Sequence, residues 1–476
     1  MKRSSWGDSM TRREAGYNLG GVLKSGPVGD DDRLLGVGGC LGGCVSVPTS
    51  KSLAQRALLA AFVARGTTRL TGLPEGADVL AALGIPRLLG VLQQEPGSDQ
   101  AAVRGMPPGM GPGPDHSWMV GESGTLARCA TALGALGWNP GTSIEIQAAG
   151  SLLSRNSPAL MATLDSIGVQ RQELGVPGGW PLRVRSVEPP EEVLLENPSS
   201  SQEVSALILA LAAWPEPRKL MVRGGIPSRP YVELTRSVLE NFGVRVREES
   251  LSGRMRCFYI QGPLVAPEQP LAIEPDASAA AVALVAGCLS GGEARIDGLG
   301  LGSVQGDVRI VEHLEAFGCQ AGETQVDGRP ALWASGSPRR GATLDLSGEP
   351  DLAPVLVPLA AAAAKAGFAS CFTGLGTLDG KESPRLTGLA QGLRACGFEV
   401  RAGEAELVVT AGHEPCPAPV LDAHGDHRMV FAFCLLGWVI PGLRVAGKSH
   451  VAKSWPNFLT DFEAAGVDWA HYSGPR

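Results

Sequence analysis

The 476 residues exceed what one hydrophobic core supports and predict two or three domains, and 44% hydrophobic with 19% charged residues is an ordinary globular balance. A net charge of -7 argues against general nucleic-acid or acidic-membrane binding, so an anion site must come from local clusters of Lys and Arg. No run of 18 or more apolar residues occurs, which argues against a membrane span.

The first 33 residues, from Met1-Lys2-Arg3 to Asp30-Asp31-Asp32-Arg33, are polar and charged and lack the compact apolar stretch of a secretory signal. Residues 1–40 read as a flexible N-terminal extension. The ten cysteines are scattered without CxxC pairs, Cys40 and Cys44 being the closest, which reads as the reduced structural thiols of a cytoplasmic protein without a metal site.

At Thr49-Ser50-Lys51-Ser52-Leu53-Ala54-Gln55-Arg56 a polar mouth opens an apolar helix that stops near Gly66. Ser50 and Ser52 are candidate N-caps. Free backbone N–H groups, hydroxyls, and Lys51 and Arg56 about one turn apart make this a site for an anion, most plausibly phosphate; an ordinary capped helix with two solvated cations is the plainer reading.

The same device recurs. Polar starts precede Ala/Leu-rich helices at Ser50, Ser123, Ser200, Asp276, Asp351 and Asp426, at intervals of 73, 77, 76, 75 and 75 residues by subtraction. Amphipathic helices end in glycine at Gly90, Gly168, Gly243, Gly318, Gly397 and Gly466, at intervals of 78, 75, 75, 79 and 69. Two registers near the same period predict six copies of an α/β unit. In each unit the first helix is apolar all round, as in Val204–Leu211 and Val355–Ala363, and so buried; the second, as in Tyr231–Glu240, is amphipathic and covers a sheet. Six units are too many for one core, so three plus three is expected.

Six motifs now stand in order: Ser50-Lys51-Ser52 with Arg56, Gly121-x-x-Gly124-Thr125-x-x-Arg128, Ser200-Ser201-Gln202, Lys381-Glu382-Ser383-x-Arg385, Gly425-Asp426-His427-Arg428 and Lys453-Ser454-x-Pro456. In that order and register the chain resembles the EPSP synthase family from about Leu41 to Phe462. The resemblance implies an inside-out α/β architecture of the enolpyruvyl transferase type, two domains each of three βαββαβ repeats with buried helices. It implies crossings near Thr49–Ser50 and Ile273–Glu274, with one domain of residues 50–273 and the other of 41–49 plus 274–476. It further implies transfer of the enolpyruvyl group of phosphoenolpyruvate to the 5-hydroxyl of shikimate 3-phosphate, with release of phosphate, no cofactor and no metal, by a monomer.

Carried over residue by residue, the resemblance places Lys51, Gly124, Arg155, Gln202, Arg385, Arg428 and Lys453 around phosphoenolpyruvate. It places Lys51, Ser52, Arg56, Ser200, Ser201, Gln202, Ser228, Tyr231, Asp351, Thr377 and Lys381 around shikimate 3-phosphate. Asp351 and Glu382 would divide the proton transfers, and Lys51 and Lys453 would stabilise developing charge. The serines also suit helix caps, Asp351 an N-cap after Pro350, and Glu382 a first-turn acid. His424-Gly425-Asp426-His427 lacks the further ligands of a metal site, and His427 reads as a structural neighbour of Arg428.

The chain departs from the family pattern at Glu122, where Asn is usual, and at Cys129, Asn156, Thr377 and Pro384. Glu122 puts a negative charge beside the expected phosphoenolpyruvate site unless it points away or pairs with an Arg. The alternatives are UDP-N-acetylglucosamine enolpyruvyltransferase, against which Ser-Lys-Ser and Ser-Ser-Gln speak, and a catalytically weakened sugar-phosphate-binding paralogue. Gly124 favours glyphosate sensitivity, with Glu122 and Cys129 close enough to alter it.

Overall fold

The computed structural model describes residues 34–111, 115–251, 253–412 and 419–472. The expectation for residues 1–33 lies outside them. For residues 34–39 it is corrected: Leu34–Gly39 is a strand, paired with Val467–Tyr472 and Arg444–Ala446, and Leu35 is wholly buried. Leu35 and Val37 drive this, since each can reach apolar neighbours only if the strand joins a sheet.

Among the described residues six four-stranded sheets carry the fold. In the third unit, strand Glu192–Glu196 lies parallel to Arg218–Arg223, the step between them made by the helix Ser201–Ala212. After the helix Pro230–Asn241, strands Val246–Ser250 and Met255–Ile260 pair antiparallel, and the latter closes on Arg218–Arg223. The order is therefore β-α-β-α-β-β rather than the expected βαββαβ. A parallel step needs a crossover helix, whereas the two final antiparallel strands need only a hairpin.

Three of the sheets borrow strands. Leu271–Ala272 completes the first unit's sheet, and Gly42–Cys44 pairs with Glu293–Asp297 in the fourth. Leu34–Gly39 sits within the sixth. The buried apolar residues correspondingly form one cluster from Leu53 to Ile273 and another from Leu35–Val45 and Ala277–Val467. Where these meet, Ser50 N donates to Glu274 O at 2.8 Å and Asp276 N to Pro48 O at 2.9 Å.

The apolar helices Lys51–Val63, Gly124–Leu136, Ser201–Ala212, Ala277–Ser290, Ala353–Lys365 and His427–Val439 are buried along most of their length. Five of the six expected starts cap them: Ser50, Ser123, Ser200, Asp276 and Asp426 each accept a first-turn N–H. Asp351 does not; it lies in the short turn Pro350–Leu352, its carboxylate engaged elsewhere. Ser52 lies inside its helix, Ser50 being the cap. All six expected glycine stops adopt positive φ, from 67° at Gly90 to 97° at Gly466, where a Cβ would be strained.

Candidate functional site

Lys51 opens its helix as the first residue after the cap. Its backbone N–H meets Asp276 Oδ2 at 3.3 Å, and its ammonium lies 3.2 Å from Asp78 Oδ2. Burial alone would depress its pKa, but the Asp78 and Glu382 charges outweigh it and hold the amine above the usual lysine range, so it is an ammonium. One turn on, Arg56 is buried and donates to Thr235 Oγ1 at 2.7 Å and Ser52 O at 2.9 Å. It makes no ion pair among the described residues, and burial holds its pKa below the usual value. A cation desolvated among neutral acceptors is primed for an anion.

Gly124 begins the next buried helix. A Cβ there would lie 2.9 Å from Arg155 Nη2 and 3.0 Å from Arg128 Nη1, so a side chain would push the two guanidinium groups from their present places. Arg128 donates to Gln202 Oε1 at 3.0 Å, Gly124 O at 3.1 Å, Asn156 O at 3.0 Å and Ser157 Oγ at 3.1 Å, and lies over the Trp180 ring. Burial, reinforced by Arg155, brings its pKa down to about 10. Arg155 Nη1 is buried with no hydrogen-bond partner among the described residues.

Ser200 caps its helix: its hydroxyl accepts from Gln202 N at 3.2 Å, and buried Glu203 reaches back to Ser199 N at 2.7 Å and Ser200 N at 3.3 Å. Ser201 is buried in the first turn. Ser228, at φ 50°, turns the chain into the helix that carries Tyr231. Burial, then the Asp307 and Asp351 charges across the gap, raise the Tyr231 phenol well above its usual range, so it remains a neutral donor.

From the other core cluster, Arg385 reaches three carboxylates. It donates to Asp426 Oδ2 at 2.7 Å, Asp351 Oδ1 at 2.9 Å and Glu382 Oε2 at 2.5 Å. Lys381 Nζ lies 3.4 Å from Asp351 Oδ1, Arg428 Nη1 donates to Asp351 O at 2.9 Å, and Lys453 Nζ lies 3.6 Å from Glu382 Oε1. Burial opposes ionisation of both carboxyls, but Lys381, Arg428 and Arg385 around Asp351, and Arg385 with Lys453 around Glu382, override it. Both are held below their usual range and stay ionised.

Thr377 Oγ1 is buried without a hydrogen-bond partner among the described residues. His427 is buried, 3.6 Å from Asp426 Oδ1, and burial together with Lys51 drives its pKa well down, leaving a neutral ring. Among the described residues no three His, Cys, Asp or Glu are grouped as metal ligands.

Contacts thus join Asp351, Lys381, Glu382, Arg385, Arg428 and Lys453 on one side. On the other they join Gly124, Arg155 and, through Arg128, Gln202, with Lys51 held by Asp78 and the Glu382 charge. Ser52, Arg56, Ser200, Ser201 and Tyr231 sit on or at the start of helices packed beside these, Ser228 just before the last of them, and Thr377 just before the turn that leads to Lys381. Four carboxylates went unassigned in the sequence reading. Asp78 pairs with Lys51, Asp276 meets the Lys51 N–H, and Asp426 binds Arg385. Asp307 binds Ser278, which also accepts from Arg428 at 3.0 Å. Asp276 and Asp426 stood in the repeat register as helix starts; Asp78 and Asp307 carried no local signal. Glu122 pairs with a Lys rather than an Arg, lying 3.9 Å from Lys453 Nζ.

Buried helices in two clusters, with paired carboxylates among cations at the polar starts of several of them, fit a transferase of the enolpyruvyl type. Consistent with this, the structure superposes on an EPSP synthase from Acinetobacter baumannii with TM-score 0.73 at 23% identity, covering 92% of this chain and 100% of that one. It also superposes on the enolpyruvyl transferase NikO from Streptomyces tendae, with TM-score 0.66 at 17% identity, covering 93% and 100%. In sequence it is 37% identical over 434 residues to a 3-phosphoshikimate 1-carboxyvinyltransferase from Methanopyrus kandleri (89% of this chain, 96% of that protein). It is 32% identical over 433 residues to one from Nitrosomonas europaea, with the same coverage. Residues 37–462 match the family EPSP synthase (3-phosphoshikimate 1-carboxyvinyltransferase). The chain belongs to the EPSP synthase family.

Proposed function

We propose that the site carries out the reaction of that family: the enolpyruvyl group of phosphoenolpyruvate passes to the 5-hydroxyl of shikimate 3-phosphate, and phosphate leaves. The observation that carries this is the meeting of Asp351 and Glu382 with Lys51, Lys381, Arg385, Arg428 and Lys453. Two anionic substrates held side by side need such a concentration of cations. No helix of the described residues is long and apolar enough to cross a membrane. The scattered cysteines without a CxxC pair support a place in the cytoplasm, where the enzyme acts as a monomer.

Shikimate 3-phosphate lies against Lys51, Ser52, Arg56, Ser200, Ser201, Gln202, Ser228, Tyr231, Asp351, Thr377 and Lys381. Phosphoenolpyruvate lies against Lys51, Gly124, Arg155, Gln202, Arg385, Arg428 and Lys453. The partnerless Arg155 Nη1 and Thr377 Oγ1 support these two placements. The two core clusters support domains of 50–273 and of 41–49 plus 274–476.

Asp351 takes the proton of the 5-hydroxyl as its oxygen attacks C2 of phosphoenolpyruvate. Glu382, protonated from solvent as the substrates bind, delivers a proton to C3, giving a tetrahedral intermediate, and then takes a proton back from C3 as the C2–O bond to phosphate breaks; the proton taken by Asp351 leaves with the phosphate. Lys51 and Lys453 stabilise the departing phosphate. An arriving phosphate and carboxylate compete for Lys453 and Arg385, so substrate binding raises the proton affinity of Glu382 toward that of an acid. Gly124 leaves the donor site open enough for glyphosate, and inhibition should appear below millimolar inhibitor.

The test is phosphate release from phosphoenolpyruvate with shikimate 3-phosphate, run beside phosphoenolpyruvate with UDP-N-acetylglucosamine. Release with the shikimate acceptor alone, abolished in Lys51→Ala, is the expected result. Release only with the nucleotide sugar, or with neither, overturns it.

A further inference from the structure

Glu122 is where this chain departs from its family inside the donor site, and its side chain is seated. Its Oε2 accepts from Ser151 Oγ at 3.0 Å and Ser151 N at 3.4 Å. It lies across Gly150, at φ 53°, where a Cβ would collide with the Glu122 carboxylate at 2.1 Å. From that seat it faces Lys453 Nζ at 3.9 Å, while Glu382 Oε1 faces the same ammonium at 3.6 Å. Lys453 is only 14% exposed, Glu382 16% and Glu122 47%, so one ammonium is shared by a largely buried carboxylate of its own half and a half-exposed one from the other.

We propose that Glu122 is a positioning residue that sets donor affinity through Lys453: its carboxylate occupies part of the ammonium's coordination and competes with the anionic groups of phosphoenolpyruvate. The inference rests on the donor placement given above. A ligand anion that engages Lys453 must share it with two protein carboxylates, and half-exposed Glu122 is the one that can swing aside. Because opposite charges about 4 Å apart interact strongly near a protein surface, the cost falls on donor binding rather than on the chemical step.

Glu122→Gln separates charge from packing, since the amide oxygen still accepts from Ser151 while the negative charge is gone. Steady-state kinetics of Glu122→Gln should show KM for phosphoenolpyruvate lowered about three- to tenfold, with kcat and the shikimate 3-phosphate KM within about twofold. The gain should shrink in 1 M KCl, where charges are screened within about 3 Å. An unchanged or raised donor KM overturns the proposal and leaves Glu122 as loop packing.

Lys453→Gln supplies the second arm. Alone it should raise the donor KM, and in its background Glu122→Gln should have no further effect. An equal effect of Glu122→Gln in both backgrounds overturns the coupling. A donor KM unmoved by Lys453→Gln removes the donor placement itself, an outcome distinct from the first.

Discussion

Arg385 and Asp426 meet as a fork in the interior: Nε donates to Oδ2 at 2.7 Å and Nη2 to Oδ1 at 3.2 Å, with Asp426 wholly buried and Arg385 nearly so. The same Asp426 Oδ1 accepts from Arg428 N at 2.9 Å and caps the helix that carries Arg428. One carboxylate therefore anchors the Arg385 side chain and the Arg428 backbone, two arginines of the proposed donor site.

Asp426→Asn keeps a capping oxygen but removes the charge from beside Arg385. Breaking one partner of a buried pair costs roughly 3–5 kcal/mol. Asp351 and Glu382 still hold the guanidinium, so about 3 kcal/mol is expected. Urea unfolding should show a lower midpoint at unchanged slope, together with a raised phosphoenolpyruvate KM as Arg385 and Arg428 lose their common anchor.

Burial pushes the Asp307 carboxyl up to about 6, against an ordinary 3.8. Between those values the folded chain binds a proton that the unfolded chain does not, so this group's contribution to stability rises as pH falls from about 6 to 4 and is a penalty above 6. Asp307→Asn removes the penalty: about 3 kcal/mol of extra stability at pH 7, closing by pH 4. Denaturant midpoints at the two pH values check it, and a variant less stable at pH 7 refutes it.

Gly124→Ala puts a methyl group 2.9 Å from Arg155 Nη2. The guanidinium must retreat, since it is the far end of a flexible side chain, and the fold survives. The expected result is a melting temperature within about 2 °C of the parent and a donor KM raised about tenfold, one 1.4 kcal/mol interaction. An unaltered donor KM would place phosphoenolpyruvate elsewhere.

Thr377→Val tests a hydroxyl that is buried without a partner. Removing an unsatisfied polar group is neutral or stabilising, whereas removing a substrate hydrogen bond costs about 1 kcal/mol. The variant should melt no lower than the parent and show a shikimate 3-phosphate KM raised about fivefold. A fall in melting temperature with an unmoved KM would assign Thr377 to the scaffold.

The repeat and most of its starts were legible because a buried apolar helix needs an N-cap, and Ser50, Ser123, Ser200, Asp276 and Asp426 supply one in register. The glycine stops were legible for the same reason of local geometry. The order of strands within a unit was not. Val246–Ser250 reads Val-Arg-Glu-Glu-Ser and buries only its valine, so an edge strand carries no alternating apolar signal. Leu34–Gly39 was hidden by its three glycines. The cation-rich motifs located the candidate site, but the pairing of Lys51 with Asp78 depends on how two successive helices of one unit pack, and that of Lys453 with Glu122 on the first and last thirds of the chain meeting, and no local pattern encodes either.

The strand Leu34–Gly39 has its partners at Arg444–Ala446 and Val467–Tyr472. On a ribosome adding roughly 5–20 residues per second, it emerges first and waits on the order of tens of seconds for them. Residues Leu53 to Ile273 contain all the members of their own core and can close as soon as they are made. The other core must hold Leu35 unsatisfied until the final helix and strand arrive, whereas Leu41 meets Ser290 and Glu293 much earlier. Completion of the second half is therefore timed by the arrival of Arg444–Ala446 and Val467–Tyr472, and that waiting interval is when Leu34–Gly39 is open to mispairing or to a chaperone.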